Sequence, residues 1–217
     1  MLIKVWDIPT RVFHWALVLS FAGAFLTSED EGLLEYHVMA GYMILGLAVF
    51  RVLWGFAGGK FSRFGDFLTG MREVRDFTAR ALKSDPPRYL GHNPAVGWVI
   101  MFMLLSSVII PATGIVTYGG EENRGVFAGV FTFREALYAR AAHSFLSYAM
   151  VLMIVVHIGA ALFHNFILRD NIILSMITGA KEDVAVFYPS PSFANEYERG
   201  GGGGGVGCLR EDGCGAG

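Results

Sequence analysis

Four apolar stretches, each near or above the length needed to cross a hydrocarbon core, limit what this chain can fold into. About 20 helical residues make one crossing. The stretches run from Val12 to Leu26, Val38 to Ala57, Ala95 to Val116 and Ala142 to Leu168. The first is slightly short, and its helix is expected to start near Pro9, because proline suits a first helical turn. A soluble helix carries a polar stripe, and VIMFMLLSSVII and FLSYAMVLMIVVHIGAALF have none. Charged residues make up only 17% of the chain, below what a soluble domain carries. The expectation is an all-α integral membrane protein, a four-transmembrane-helix bundle.

The segment MLIKVWDIPTR puts charged and aromatic residues ahead of the first apolar run. No small-x-small cleavage site follows it, so the first stretch reads as a retained helix rather than a signal peptide. Loop charge sets the orientation. The first loop holds Glu29, Asp30, Glu31 and Glu35 with no Lys or Arg, whereas the second holds Lys60, Arg63, Arg72, Arg75, Arg80, Lys83 and Arg88. The third is mixed, with Arg124, Arg134 and Arg140 against Glu121, Glu122 and Glu135. Both termini and the second loop are therefore expected in the cytoplasm.

Within the second loop, GDFLTGMREVRDFTARALK predicts an amphipathic interfacial helix with Phe67, Met71, Val74 and Phe77 on one face. Such a basic helix suits membrane lipids and is read as a cap on the bundle. Periodicity ends after Lys181, which divides the chain into a membrane domain, 1–182, and a flexible glycine-rich cytoplasmic tail, 183–217. The two cysteines, Cys208 and Cys214, lie in that tail. Two sulfurs alone make a poor metal site. The absence of CxxCH argues against covalent c-type haem, and a net charge of −2 gives no reason to expect nucleic acid.

Five of the six histidines lie in or at the edges of the apolar stretches: His14, His37, His143, His157 and His164. Ionisable residues there are rare and default to function. His143 and His157 are fourteen residues apart, which on a helix returns them to within roughly 40° of one face and separates them by roughly 21 Å. One helix thus presents an imidazole near each membrane surface. By topology His14 lies at the inner level and His37 at the outer, so depth pairs His14 with His157 and His37 with His143. Two bis-imidazole levels describe two haem irons stacked across the bilayer. Filling both axial positions favours electron transfer over oxygen chemistry. His164, seven residues beyond His157, would sit about 10 Å deeper and is assigned to a propionate or headgroups. Arg11 and Arg51, near the inner ends of their helices, suit propionates or act as snorkelling anchors. Gly41 and Gly46 would let a flat macrocycle or another helix come close.

The segments VWDIPTRVFHWALVLSFAGAFLT, YHVMAGYMILGLAVFRVLWGFAG, YLGHNPAVGWVIMFMLLSSVIIPATGI, VVHIGAALFHN and NIILSMITGAK resemble the bacterial cytochrome b561 family, which includes the cytochrome b subunits of nickel–iron hydrogenases. The resemblance spans residues 3 to 182. It implies a four-helix inner-membrane cytochrome with two non-covalent haem b groups, ligated by His14, His37, His143 and His157. It also implies electron exchange between quinone and a periplasmic partner, a c-type cytochrome or a hydrogenase-like enzyme. Asn93 and Pro94 are read as the cap and first position of the third helix, with a quinone contact by His92 as the alternative. The tail with Cys208 and Cys214 departs from the family pattern.

Two other readings stand beside this respiratory-chain one. A stand-alone superoxide-to-quinone oxidoreductase would need a cationic funnel at the outer face. A haem-free membrane anchor or transporter helper would make the histidine pairs a coincidence. The electron-transfer cytochrome, as a subunit rather than an enzyme by itself, fits the residues better than either.

Overall fold

The computed structural model describes residues 2–59, 62–67, 70–81, 94–167 and 171–182. Nearly all are helical. In chain order the elements are β1 (Leu2–Lys4), α1 (Ile8–Leu26), a 3-10 turn (Glu31–Leu33), α2 (Leu34–Ala57), α3 (Phe64–Phe67), α4 (Met71–Ala81), α5 (Pro94–Glu121), α6 (Phe133–Phe166), α7 (Ile172–Thr178) and β2 (Ala180–Glu182). Four of them, α1, α2, α5 and α6, are long and apolar enough to cross a membrane.

Two of the long helices start at a side-chain cap. Asp7 caps α1 by accepting from the Thr10 amide at 2.9 Å, with Pro9 in the first turn. α6 starts nine residues earlier than the apolar scan places it, at a capping box. There Glu135 accepts from the Thr132 amide at 2.8 Å, and the Thr132 hydroxyl accepts from the Glu135 amide at 3.3 Å, satisfying two otherwise orphaned donors. α5 runs through Pro111 and on to Glu121 instead of ending near Val116. Hydroxyls inside the spans return to their own helix. Ser20 donates to the Ala16 carbonyl, Ser107 to Met103 and Thr117 to Thr113, at 2.7–3.0 Å. That local bonding is what admits polar side chains to hydrocarbon.

The amphipathic segment of the second loop is two helices rather than one. Phe67 closes α3, while Met71, Val74 and Phe77 belong to α4, which packs against α5. The glycine-rich tail with Cys208 and Cys214, and the residues Gly91, His92 and Asn93, lie outside the described residues.

Close backbone packing joins α1 to α2, α2 to α5 and α5 to α6. Among the described residues, no comparable packing joins α6 to α1 or α2. The outward faces are apolar, with Leu19, Phe56, Phe145 and Tyr148 all more than 70% exposed. Water would not tolerate such a belt, and lipid accepts it.

The segment before α1 meets the segment after α7. β1 pairs antiparallel with β2, Ile3 opposite Lys181, and the Val5 and Trp6 amides both donate to the Gly179 carbonyl. Gly179 sits at φ +84, a left-handed cap that ends α7 and that glycine adopts without strain. Four crossings return the chain to the side it started from, and this clasp joins the segments that flank the bundle there.

Candidate functional site

On α6 the residues Ala136, His143, Met150, His157 and His164 follow one another at seven-residue intervals. Seven residues fall about 20° short of two full turns, so all five share one stripe. Ala136 and Met150 are fully buried. The histidines therefore face the interior at intervals of roughly 10 Å, with Met150 filling the stripe between His143 and His157. On α2 the corresponding stripe runs His37, Gly41, Ile44, Ala48, Arg51, Gly55, at alternating four- and three-residue steps. The last four of these are buried.

Across the space between α6 and the first two helices the imidazoles stand in two pairs. The ring centres of His14 and His157 lie 6.4 Å apart, and those of His37 and His143 lie 6.0 Å apart. A metal–imidazole nitrogen bond is about 2 Å and each ring adds about 1 Å from nitrogen to centre, so an imidazole–metal–imidazole axis separates ring centres by roughly 6 Å. Both pairs are at that separation. No group of three or more His, Cys, Asp or Glu side chains forms among the described residues. That suits a porphyrin iron, which draws only its two axial ligands from the protein.

The His37–His143 pair is held by backbone. His37 Nδ1 lies 2.8 Å from the Ala24 carbonyl of α1, and His143 Nδ1 lies 2.8 Å from the Ile110 carbonyl of α5. A carbonyl can only accept, so each ring carries its proton on Nδ1 and offers Nε2. Gly114 makes room for the second contact. A Cβ there would come within 3.0 Å of His143 Cε1. Thr113 adds its hydroxyl, 2.8 Å from the same Ile110 carbonyl and 3.5 Å from His143 Nδ1. Gly41, one turn from His37, faces open space, and an added Cβ would meet nothing within 4 Å. A flat ring could lie against it.

The His14–His157 pair differs. His14 Nδ1 is buried without a hydrogen-bond partner among the described residues, and so is Arg11 Nε, one turn earlier. Arg11 also donates through Nη1 to the Ile177 carbonyl, tying α1 to α7. Arg51 is buried, with its guanidinium 5.4 Å from the centre of the Phe64 ring. His164 is half-buried, edge-on to Phe163 and one heptad past His157. The four paired histidines are thus brought together in twos, while Arg11, Arg51 and His164 lie toward the His14–His157 end of the bundle.

At that same end Asp7 accepts from Trp54 Nε1 at 3.1 Å, from the Ser62 hydroxyl at 2.9 Å and from the Thr10 amide. Burial alone would raise its pKa. The bonds from Thr10, Trp54 and Ser62 outweigh that and hold the carboxyl below its ordinary value. The sequence reading missed this hub, although Asp-Ile-Pro before an apolar run is a helix-start signature. It also missed Gly114, whose role depends on a ring from another helix.

Two of the three third-loop arginines are engaged. Arg124 pairs with Glu35 at 3.5 Å and Arg140 with Glu121 at 2.9 Å. These contacts match two of the cations on which a superoxide funnel would draw, Arg134 being the third.

The model of the prokaryotic cytochrome b561 family matches residues 5–179. Similar proteins include the probable Ni/Fe-hydrogenase B-type cytochrome subunit of Rhizobium leguminosarum bv. viciae, 25% identical over 213 aligned positions covering 82% of this chain and 88% of that one. The Azotobacter vinelandii protein of the same description is 26% identical, covering 82% and 87%. The probable Ni/Fe-hydrogenase 1 B-type cytochrome subunit of Escherichia coli (strain K12) is 24% identical, covering 81% and 88%. A b-type cytochrome carries haem b, whose iron the paired imidazoles fit. With four membrane-length helices and a match over nearly all the described chain, this protein belongs to the prokaryotic cytochrome b561 family of membrane electron-transfer cytochromes.

Proposed function

We propose that this chain carries two haem b groups and passes electrons between the membrane quinone pool and a redox partner at the outer face, a c-type cytochrome or a hydrogenase-like enzyme. The observation that carries the reading is the pair of imidazole pairs, 6.4 and 6.0 Å between ring centres, set two heptads apart on α6. Haem, when bound, supplies one-electron chemistry at its iron. His14 with His157 and His37 with His143 would hold it axially and leave no iron position open. The Ala24 and Ile110 carbonyls fix the outer rings in the ligating tautomer. Arg11, Arg51 and His164 are assigned to propionates at the inner end, a reading supported by the buried unpaired Nε of Arg11.

The outer partner is inferred from the hydrogenase description of the similar proteins. The orientation is inferred from the acidic first loop and the basic second loop, in the inner membrane of a bacterium with both termini cytoplasmic. Residues 1–182 form the membrane domain in this reading, and 183–217 a cytoplasmic tail.

A pyridine haemochrome assay on the purified protein, followed by reduction with a short-chain quinol, tests the proposal. Two haems per chain with quinol-dependent reduction of both is expected. One haem or none would overturn the two-haem reading, and reduction by superoxide alone without any response to quinol would overturn the quinone assignment.

A further inference from the structure

We infer that α6 is a homodimer seam: two copies of this chain pair in parallel along the exposed face of α6 that lies away from its histidines, with the Tyr148 hydroxyl of each copy bonded to Ser144 of the other. The inference goes beyond the electron-transfer reading and does not depend on it.

Ala141, Phe145, Tyr148, Leu152, Val155 and Gly159 follow one another on α6 at alternating steps of four and three residues, and all six are exposed. That alternation keeps one stripe of a helix against a parallel partner helix. Tyr148 is five residues past His143, which places it about 140° around the helix from the histidine stripe. A helix seated on this seam therefore obstructs neither imidazole pair.

The seam carries hydroxyls that lipid cannot satisfy. The membrane-length run Phe133–Phe166 has its midpoint between Ala149 and Met150, so the Tyr148 backbone lies about 3 Å from the middle of the span. Tyrosines that face lipid gather instead at the water interfaces. The Tyr148 side chain is 71% exposed, and its hydroxyl makes no hydrogen bond among the described residues. Ser144, one turn earlier at the edge of the seam, is also exposed. Its hydroxyl does not return to its own helix as those of Ser20, Ser107 and Thr117 do. Ser144 is about 8 Å from the midpoint, inside a hydrocarbon core about 30 Å thick. Hydrocarbon offers neither hydroxyl a partner.

A second copy supplies the partner in register. Copies of one chain insert with one orientation, so a two-fold axis between them stands along the membrane normal and the two α6 helices run parallel. A helical tyrosine leans toward the N-terminus, over the turn before it. The Tyr148 hydroxyl thus reaches about the level of residue 144, where a parallel copy presents Ser144. The axis repeats the contact, so four hydroxyls are satisfied by two bonds. Ala141 and Gly159 bracket the contact and let the two backbones approach. An unrelated membrane helix would have to bring hydroxyls of its own at the same depth.

The test uses the full chain in vesicles of phosphatidylethanolamine and phosphatidylglycerol, labelled with donor or acceptor dye at Cys214 in a Cys208→Ser background. Energy transfer should rise with the protein-to-lipid ratio and fall when unlabelled chain is added. Tyr148→Phe and Ser144→Ala should each weaken the dimer about tenfold, and the double variant no further, because both remove the same bonds. With Cys208 and Cys214 replaced, Leu152→Cys should form an oxidised dimer, whereas Leu19→Cys, on the exposed face of α1, should not. Energy transfer no greater than random mixing gives, a Tyr148→Phe dimer as tight as the parent, or a cross-link at Leu19 in place of Leu152 would each overturn the inference.

Discussion

Trp6 and Ser175, 169 residues apart in the chain, are joined by a buried hydrogen bond of 3.2 Å from the indole Nε1 to the hydroxyl. It lies beside the β1–β2 pairing and closes the bundle end to end. Removing the hydroxyl strands a buried donor, which costs about 1–3 kcal/mol. Ser175→Ala should lower thermal stability in detergent by that amount. Trp6→Phe should then cost less in the Ser175→Ala background than in the parent. Strictly additive effects would show that the bond contributes nothing.

The ligand pairs should fail in twos. His14→Ala and His157→Ala should each remove the inner haem, and His37→Ala and His143→Ala the outer, because one macrocycle cannot bridge levels roughly 21 Å apart. His164→Ala should keep both. Haem content and the spectra of the surviving haem are the readouts. Loss of the inner haem in His164→Ala with retention in His157→Ala would reverse the assignment on α6.

Gly55 is packed under Phe64. A Cβ at Gly55 would overlap three carbons of that ring, and overpacking of this kind costs about 1–3 kcal/mol. Gly55→Ala should destabilise the bundle in a melt, and less so when Phe64→Leu frees the space. Equal penalties in both backgrounds would place the strain elsewhere.

Asp7 makes the His14–His157 end of the bundle acid-sensitive. Its folded pKa is depressed by the Thr10, Trp54 and Ser62 bonds. Its contribution is therefore present above the ordinary aspartate pKa and is lost as pH falls through the folded value. Stability measured from neutral pH downward should drop below the ordinary carboxylate range, and Asp7→Asn should flatten that part of the curve. An unchanged profile in Asp7→Asn would assign the acid sensitivity to other carboxylates.

Reporter fusions near Glu31 should report the outer compartment and those near Arg75 the cytoplasm, following the contrast between the acidic and basic loops. The reverse pattern would exchange the compartments of the two haem sites while leaving the pairs intact.

The long helices were legible because crossing a membrane imposes one crude requirement, an unbroken apolar run, and α1, α2, α5 and α6 meet it. The paired histidines were legible because helical rise and topology convert sequence position into depth. Boundaries were less so. The first turns of α6 contain Arg134, Glu135 and Arg140, which end an apolar scan even though Thr132 and Glu135 spell a capping box. The split between α3 and α4 interrupts a pattern that still reads as amphipathic. The β1–β2 pair escaped because three-residue strands carry no periodicity and their partners are far apart in sequence. The carbonyls of Ala24 and Ile110 could not have been found at all, since every residue has one and only the packing selects them.

The stripe on α6 makes that helix a ruler. The two imidazoles it contributes are fixed by count, not by identity. Inserting one residue between His143 and His157 would swing the second away by about 100°, and only a whole heptad restores the face, at a step of roughly 10 Å. The gap between the two sites can therefore change only in steps of that size. Side chains along the stripe can be exchanged one at a time, but its length cannot drift.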